Sequence, residues 1–260
     1  MISALQGNCR LEPAVPRPRL YAGADQPARL SLEIDTVKVQ GEKIGVVSED
    51  VLQTPFCALS RLTRSDRKHL PKVLVVAPLS GHFPILLRDL IIGLLPHYEV
   101  YFSDWVNARY VAKSWGPFDL TANISWVIGM IERLGPRANV LALCQAAVPA
   151  LTATAHLAEK SPRAAPRSLV LMAAPIDPAC HPTRVARLIR ARPLAWYERQ
   201  VTVAVEAAYP GRGRLVYPAV IQLSGLQAYF TRHMLQGGEV LYKVLRDDGC
   251  DPQRFPFLDL

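Results

Sequence analysis

The stretch Asn139-Val-Leu-Ala-Leu-Cys144-Gln-Ala-Ala-Val-Pro149 decides how the chain reads. Apolar residues run from Val140 to Leu143 and stop at one thiol, and an Ala- and Val-rich run with helical character follows. Strand, sharp turn and helix are the layout of a nucleophile elbow, in which a strained turn lifts one side chain above the end of a parallel sheet. The usual spacing is G-x-S-x-G, whereas this chain has Ala142-x-Cys144-x-Ala146. Small residues flank such a turn because strand and helix backbones crowd together there, and Ala fits more loosely than Gly. The competing reading is a buried cysteine ending a core strand, since free Cys is among the most buried residue types.

The same rhythm recurs on both sides of this stretch. Lys72-Val-Leu-Val-Val-Ala77 is a continuous apolar run, as a strand covered on both faces should be. The loop Pro78-Leu-Ser-Gly-His-Phe83 leads to Pro84 at a helix start, and Leu86, Leu87, Leu90, Ile91 and Leu94 follow at helical spacing before Pro96. Glu99 to Ser103 reads as the next strand, closed by Asp104 and Trp105. Asp119 is placed to cap a helix carrying Leu120, Ile124, Val127, Ile128, Ile131 and Leu134, and Gly135 to stop it. Ser168 to Ala174 is a further strand, ending in Pro175-Ile-Asp177. Strands alternating with helices at this spacing predict an α/β fold, a parallel sheet with helices on both faces. Functional groups then belong at the carboxyl ends of the strands, at Leu79 to His82, Asp104, Cys144 and Asp177.

Upstream, Leu32 to Val39 alternates apolar and charged residues, Gln40-Gly41 makes a turn, and Lys43 to Val51 returns, which predicts a hairpin. Arg61 to Lys72 is dense in charge and reads as a solvated loop. Residues 1–30, rich in Pro and Arg without periodicity, read as a loose tail. Residues 31–177 form the predicted core and 178–260 a helical, cap-like region. In that region Thr183 to Gln200 is helical, divided or kinked at Pro193, and Tyr217 to Lys243 is mostly helical. The arginines from Arg184 to Arg199 read first as a solvated face.

Length and composition set the bounds. The chain has 260 residues, half of them hydrophobic, enough for one sizeable core. A net charge of +8 suits anionic partners or surfaces. The five cysteines are scattered with no CxxC pair, which argues against a zinc site and for reduced thiols in a cytosol. Met1 to Gly23 has no continuous apolar core of a signal peptide. The longest apolar stretch, Phe83 to Leu95, is interrupted by Arg88 and Asp89 and is too short to span a bilayer.

Taken together, the chain resembles the intracellular polyhydroxyalkanoate (polyhydroxybutyrate) depolymerases. The resemblance rests on Thr54-Pro-Phe-Cys57, Val76-Ala-Pro-Leu-Ser-Gly-His-Phe83, Ser103-Asp-Trp-x-Asn-Ala-Arg109, Cys144-Gln-x-Ala-Val-Pro149 and Ala174-Pro-Ile-Asp177 with Pro182-Thr183, in that order, over roughly residues 31 to 235. It implies an α/β-hydrolase fold and hydrolysis of stored polyester through a Cys–His–Asp triad, with Cys144 matching the nucleophile. The backbone N–H of Gln145 is then one oxyanion donor, and the second comes from Leu79 or Ser80. His82 lies on the oxyanion side, where loop structure or substrate contact is a better role than that of base, and His181 and His233 fall in no matching motif. Asp177 is a candidate acid, although the resemblance places the acid after a later strand. Asp104 and Trp105 read first as structural.

Family members continue beyond the position of Leu260, through two more core strands that bring the catalytic Asp and His. The chain is therefore expected to be C-terminally truncated, to lack those strands, and to be a poor catalyst by itself. No metal or other cofactor is expected, and no nucleic acid or transmembrane segment. The expected partner is the polyhydroxyalkanoate granule surface, and the expected location the cytoplasm, at granules. Two other functions compete: a polyester synthase-like acyltransferase, whose G-x-C-x-G elbow this chain lacks, and a non-catalytic granule-binding pseudoenzyme.

Overall fold

The computed structural model describes residues 32–66, 69–79, 84–180, 184–218 and 221–222. The predicted tail at 1–30, Ser80, His82, His181, His233 and most of the second helical region lie outside them.

Seven strands form one sheet: β1 (Thr36–Val39), β2 (Glu42–Gln53), β3 (Cys57–Arg64), β4 (Lys72–Val76), β5 (Glu99–Trp105), β6 (Asn139–Leu143) and β7 (Ser168–Met172). Their order across the sheet is β1-β2-β3-β5-β4-β6-β7. The first three pair antiparallel, β3 joins β5 antiparallel, and β4, β5, β6 and β7 run parallel to one another. Three helices make the crossovers: α1 (Pro84–Leu94), α2 (Leu120–Leu134) and α3 (Ala147–Lys160). Right-handed crossovers fix their faces. The chain steps one way from β4 to β5 and the other way from β5 to β6 and on to β7, so α1 covers one face while α2 and α3 share the other. This is the predicted α/β-hydrolase-like sheet, with all four parallel strands where the apolar runs put them.

Local chemistry explains the elements. Gln40 and Gly41 both have positive φ, as a two-residue hairpin loop requires, and Val39 pairs Glu42 across it. In α2 the Asp119 carboxylate accepts the Ala122 N–H at 2.8 Å, and Gly135, at φ 88°, closes the other end. The buried residues of α2 include Ile124, Val127, Ile131 and Leu134, one stripe at helical spacing. In α3 the inward stripe is Ala147, Ala150, Ala153 and Leu157, small side chains that let it pack close to α2. Pro149 sits in the first turn of α3, where its missing N–H had no intrahelical partner to lose. Leu59, Leu74, Ile91, Leu95, Met130 and Ile131 are fully buried in the core, and truncating a side chain of this kind to Ala costs about 2–5 kcal/mol.

One expectation is corrected. Arg61 to Arg64 is not a solvated loop but the second half of β3, an interior strand between β2 and β5. Its arginines are neutralised across the sheet. Arg61 pairs with Glu49 at 2.6 Å and with Glu99, while Arg64 pairs with Asp66 and donates to the Pro96 carbonyl at 2.9 Å. Past β7, α4 (Arg184–Arg190) and α5 (Leu194–Val201) divide at Pro193. A two-stranded antiparallel ribbon, β8 (Val203–Ala204) with β9 (Leu215–Val216), follows where no strand was predicted.

Candidate active site

Cys144 immediately follows β6. Its φ is +50°, in the left-handed region that a non-glycine residue enters at a cost of about 1–2 kcal/mol. A 3₁₀ turn, Cys144 to Ala146, leads straight into α3. The side chain is exposed, so the buried-cysteine reading fails and the elbow geometry stands. Leu143 and Ala146, on either side, are at least partly buried, so strain and packing together push the thiol outward.

The sheet register brings the other predicted groups to the same end. Val76 of β4 lies opposite Ala142, so the chain leaving β4 through Ala77, Pro78 and Leu79 runs beside Cys144. Leu79 is half-buried and packs against the core, which anchors the loop from which the second oxyanion donor was expected. Gln145 follows on the helix side, inside the 3₁₀ turn that opens α3. On the other flank Leu143 pairs Met172, so Ala173 follows β7 beside Cys144, and Ala173 also has φ +50°. Asp177 lies on the exposed segment beyond. There its carboxylate accepts the Cys180 thiol at 3.1 Å and the Ala179 N–H at 2.8 Å. The Cys180 hydrogen bond, and then that of Ala179, hold the Asp177 carboxyl below the usual carboxylate range, while the same carboxylate pushes the Cys180 thiol up. Among the described residues Asp177 is thus engaged with Cys180. Among the described residues no cluster of three or more His, Cys, Asp or Glu can hold a metal ion.

Two features escaped the sequence. Ser103 and Trp105 pin the start of the oxyanion-side loop: the Ser103 hydroxyl accepts the Ala77 N–H and the Trp105 indole donates to the Ala77 carbonyl, both at 2.8 Å and both buried. Trp105 is structural, as expected, but through this bond as well as through packing on Phe118. The second is a clasp. The β8–β9 ribbon docks on the segment after β5, where the Arg214 guanidinium donates to the carbonyls of Val111, Ala112 and Gly116 and lies over the Phe56 ring. Gly211 donates to the Arg109 carbonyl at 2.8 Å, so close that a Cβ would sit 2.7 Å from two backbone oxygens. The legible signal was Tyr209-Pro-Gly-Arg-Gly213 between two apolar pairs, a turn bounded by strand formers.

Residues 173–256 match the family model described as the PHB de-polymerase C-terminus. Over those residues the chain is similar to the polyhydroxybutyrate depolymerases. The match begins at Ala173, on the flank of the Cys144 elbow. No curated protein matches this chain. Similar solved structures include naproxen esterase (carboxylesterase NP) of Bacillus subtilis, at 14% identity and a TM-score of 0.33, over 50% of this chain and 44% of that one. A fungal esterase of Rhizomucor miehei matches at 18% identity and a TM-score of 0.35, over 53% and 46%. Brefeldin A esterase, a bacterial homologue of human hormone-sensitive lipase, matches at 18% identity and a TM-score of 0.34, over 62% and 46%. The chain thus spans less than half the length of these esterases. The fold assignment rests on the strand order and crossovers of the chain itself.

Proposed function

We propose that the chain cleaves ester bonds of intracellular polyhydroxyalkanoates with Cys144 as nucleophile. The observation that carries this reading is the left-handed, exposed Cys144 between a parallel strand and a helix. The match to the depolymerase C-terminal model supports the substrate class. In the first step the thiolate sulfur bonds to the ester carbonyl carbon and the carbonyl electron pair moves onto oxygen. In this reading the Gln145 N–H donates to that oxyanion, with a second donor from the Leu79–Ser80 loop. Collapse breaks the carbon–oxygen bond, and the departing alkoxide takes a proton. Water then adds to the thioester, releasing the hydroxy acid and returning the thiol. The polymer is insoluble, so the reading also places the chain at granule surfaces in the cytoplasm.

The test is to mix the protein with short 3-hydroxybutyrate oligomers, quench in acid and map the peptides. A hydroxyacyl adduct on Cys144, release of 3-hydroxybutyrate, and loss of both in Cys144→Ala are expected. Equal hydrolysis by Cys144→Ala overturns the nucleophile assignment. Chain growth from hydroxybutyryl-CoA without hydrolysis points to acyl transfer instead. Granule binding by an intact protein that never acylates points to a pseudoenzyme.

A further inference from the structure

Three large apolar side chains are exposed on the segments that follow β5 and on the ribbon tied to them. Trp115 is 53% exposed, Leu120 56% and Leu215 69%. Soluble proteins tolerate single exposed apolar residues, so their grouping is what matters. Trp115 lies between Ala112 and Gly116, whose carbonyls both accept from Arg214, the neighbour of Leu215. Lys113 donates to the Gly213 carbonyl at 3.3 Å, a second tie between the same two segments. Leu120 opens α2 two residues after Phe118, which stacks on the Phe56 ring beneath Arg214. Three large apolar side chains are thus held out to solvent on a braced support.

Position and charge narrow the occupant. Val106 to Gly116 leaves the carboxyl end of β5, and Cys144 leaves the same end of β6, with only β4 between them. Strands lie about 4.8 Å apart, so β5 and β6 are about 10 Å apart, within reach of an extended oligomer. The surface is net cationic: Arg109, Lys113, Arg212 and Arg214 stand against two acids, Asp119 and Glu206, over residues 106–120 and 203–216, and the Asp119 carboxylate is engaged in capping α2. Lys113 and Arg212 are exposed.

We propose that Trp115, Leu120 and Leu215 form a docking ledge for a hydroxyalkanoate oligomer, its alkyl groups on the apolar side chains and its terminal carboxylate toward Lys113 and Arg212. The ledge rests on the polyester reading of the Cys144 site and names where the remainder of that substrate lies. An apolar repeat ending in one carboxylate matches an apolar surface edged with cations.

The test measures the affinity of a 3-hydroxybutyrate tetramer for Cys144→Ala protein by titration calorimetry, and the Trp115 indole signal of that protein in NMR spectra, assigned with Trp115→Phe, locates the contact. Adding Trp115→Ala and Leu215→Ser, both at exposed positions, should weaken binding ~10-fold or more with an unchanged unfolding midpoint. Lys113→Gln with Arg212→Gln should weaken the free-acid tetramer and leave its methyl ester unaffected. Unchanged affinity in the Trp115/Leu215 variant, or no binding to Cys144→Ala, overturns the ledge. An equal response of acid and ester to loss of the cations overturns the carboxylate end. Acylation of Cys144 is read separately: a tetramer that binds the ledge yet never acylates Cys144 sinks the nucleophile and leaves the ledge standing. Acylation at an unchanged rate without the ledge does the reverse.

Discussion

Cys144 and Ala173 follow the paired residues Leu143 and Met172 on neighbouring parallel strands, and both adopt φ +50°. Two adjacent strands therefore end in the same strained turn. At Cys144 the strain accompanies an exposed thiol. At Ala173 it redirects the chain toward Pro175 and Asp177. Replacing Ala173 with Gly removes the Cβ penalty, offset in part by the larger entropy of the unfolded glycine. Ala173→Gly is expected to raise stability by about 0.5–1 kcal/mol, and Ala173→Val to lower it, as read by urea unfolding. The reverse order would show that the turn is relaxed.

Ser103 holds the loop that leaves β4. Ser103→Ala leaves the buried Ala77 N–H without an acceptor, at a cost of about 1–3 kcal/mol. Trp105→Phe keeps most of the packing but strips the donor from the Ala77 carbonyl. Both variants should lose stability, and both should slow any hydroxyacylation of Cys144 more than they weaken oligomer binding, since the oxyanion-side loop is displaced. Full stability of Ser103→Ala in chemical denaturation would contradict the role given to this bond.

Arg214 is the centre of the clasp. Burial lowers its pKa from the ordinary value, yet guanidinium stays charged at any working pH. Arg214→Met forfeits three bonds to carbonyls and should cost about 2–3 kcal/mol, and Arg214→Lys should rescue little because an ammonium cannot span the fork. Gly211→Ala should cost about 1–3 kcal/mol by overpacking against the Ala108 and Arg109 carbonyls. In each case limited proteolysis should open residues 203–216 first. Cleavage elsewhere with the ribbon intact would refute the clasp.

Asp177 and Cys180 predict opposite pH effects. The carboxyl is depressed in the folded chain, so its contribution is present above its unfolded pKa and fades as pH falls through the lower folded value. The thiol is raised from 9.0, so its contribution is complete below that value and is lost as pH rises through the higher folded one. Cys180→Ala should move the Asp177 carboxyl resonance midpoint up toward its ordinary value of 3.8 in an NMR titration. No movement would mean the thiol does not donate to it in solution.

The βα alternation, the hairpin at Gln40-Gly41 and the elbow position of Cys144 could be read along the chain because each is a local pattern. Continuous apolar runs, helical spacing and a small-residue turn need only nearest neighbours to be interpreted. The fate of Arg61 and Arg64 could not be read that way. Their charges look like solvent-facing signals until Glu49, Glu99 and the Pro96 carbonyl come to meet them from elsewhere in the chain. The same holds for Ser103 beneath Ala77 and Arg214 on the loop after β5, which are bonds across 26 to 103 positions of sequence. Composition and periodicity report how a segment partitions between water and apolar surroundings. Which distant groups neutralise a buried charge or fix a loop depends on the packed sheet, and only the tertiary structure decides it.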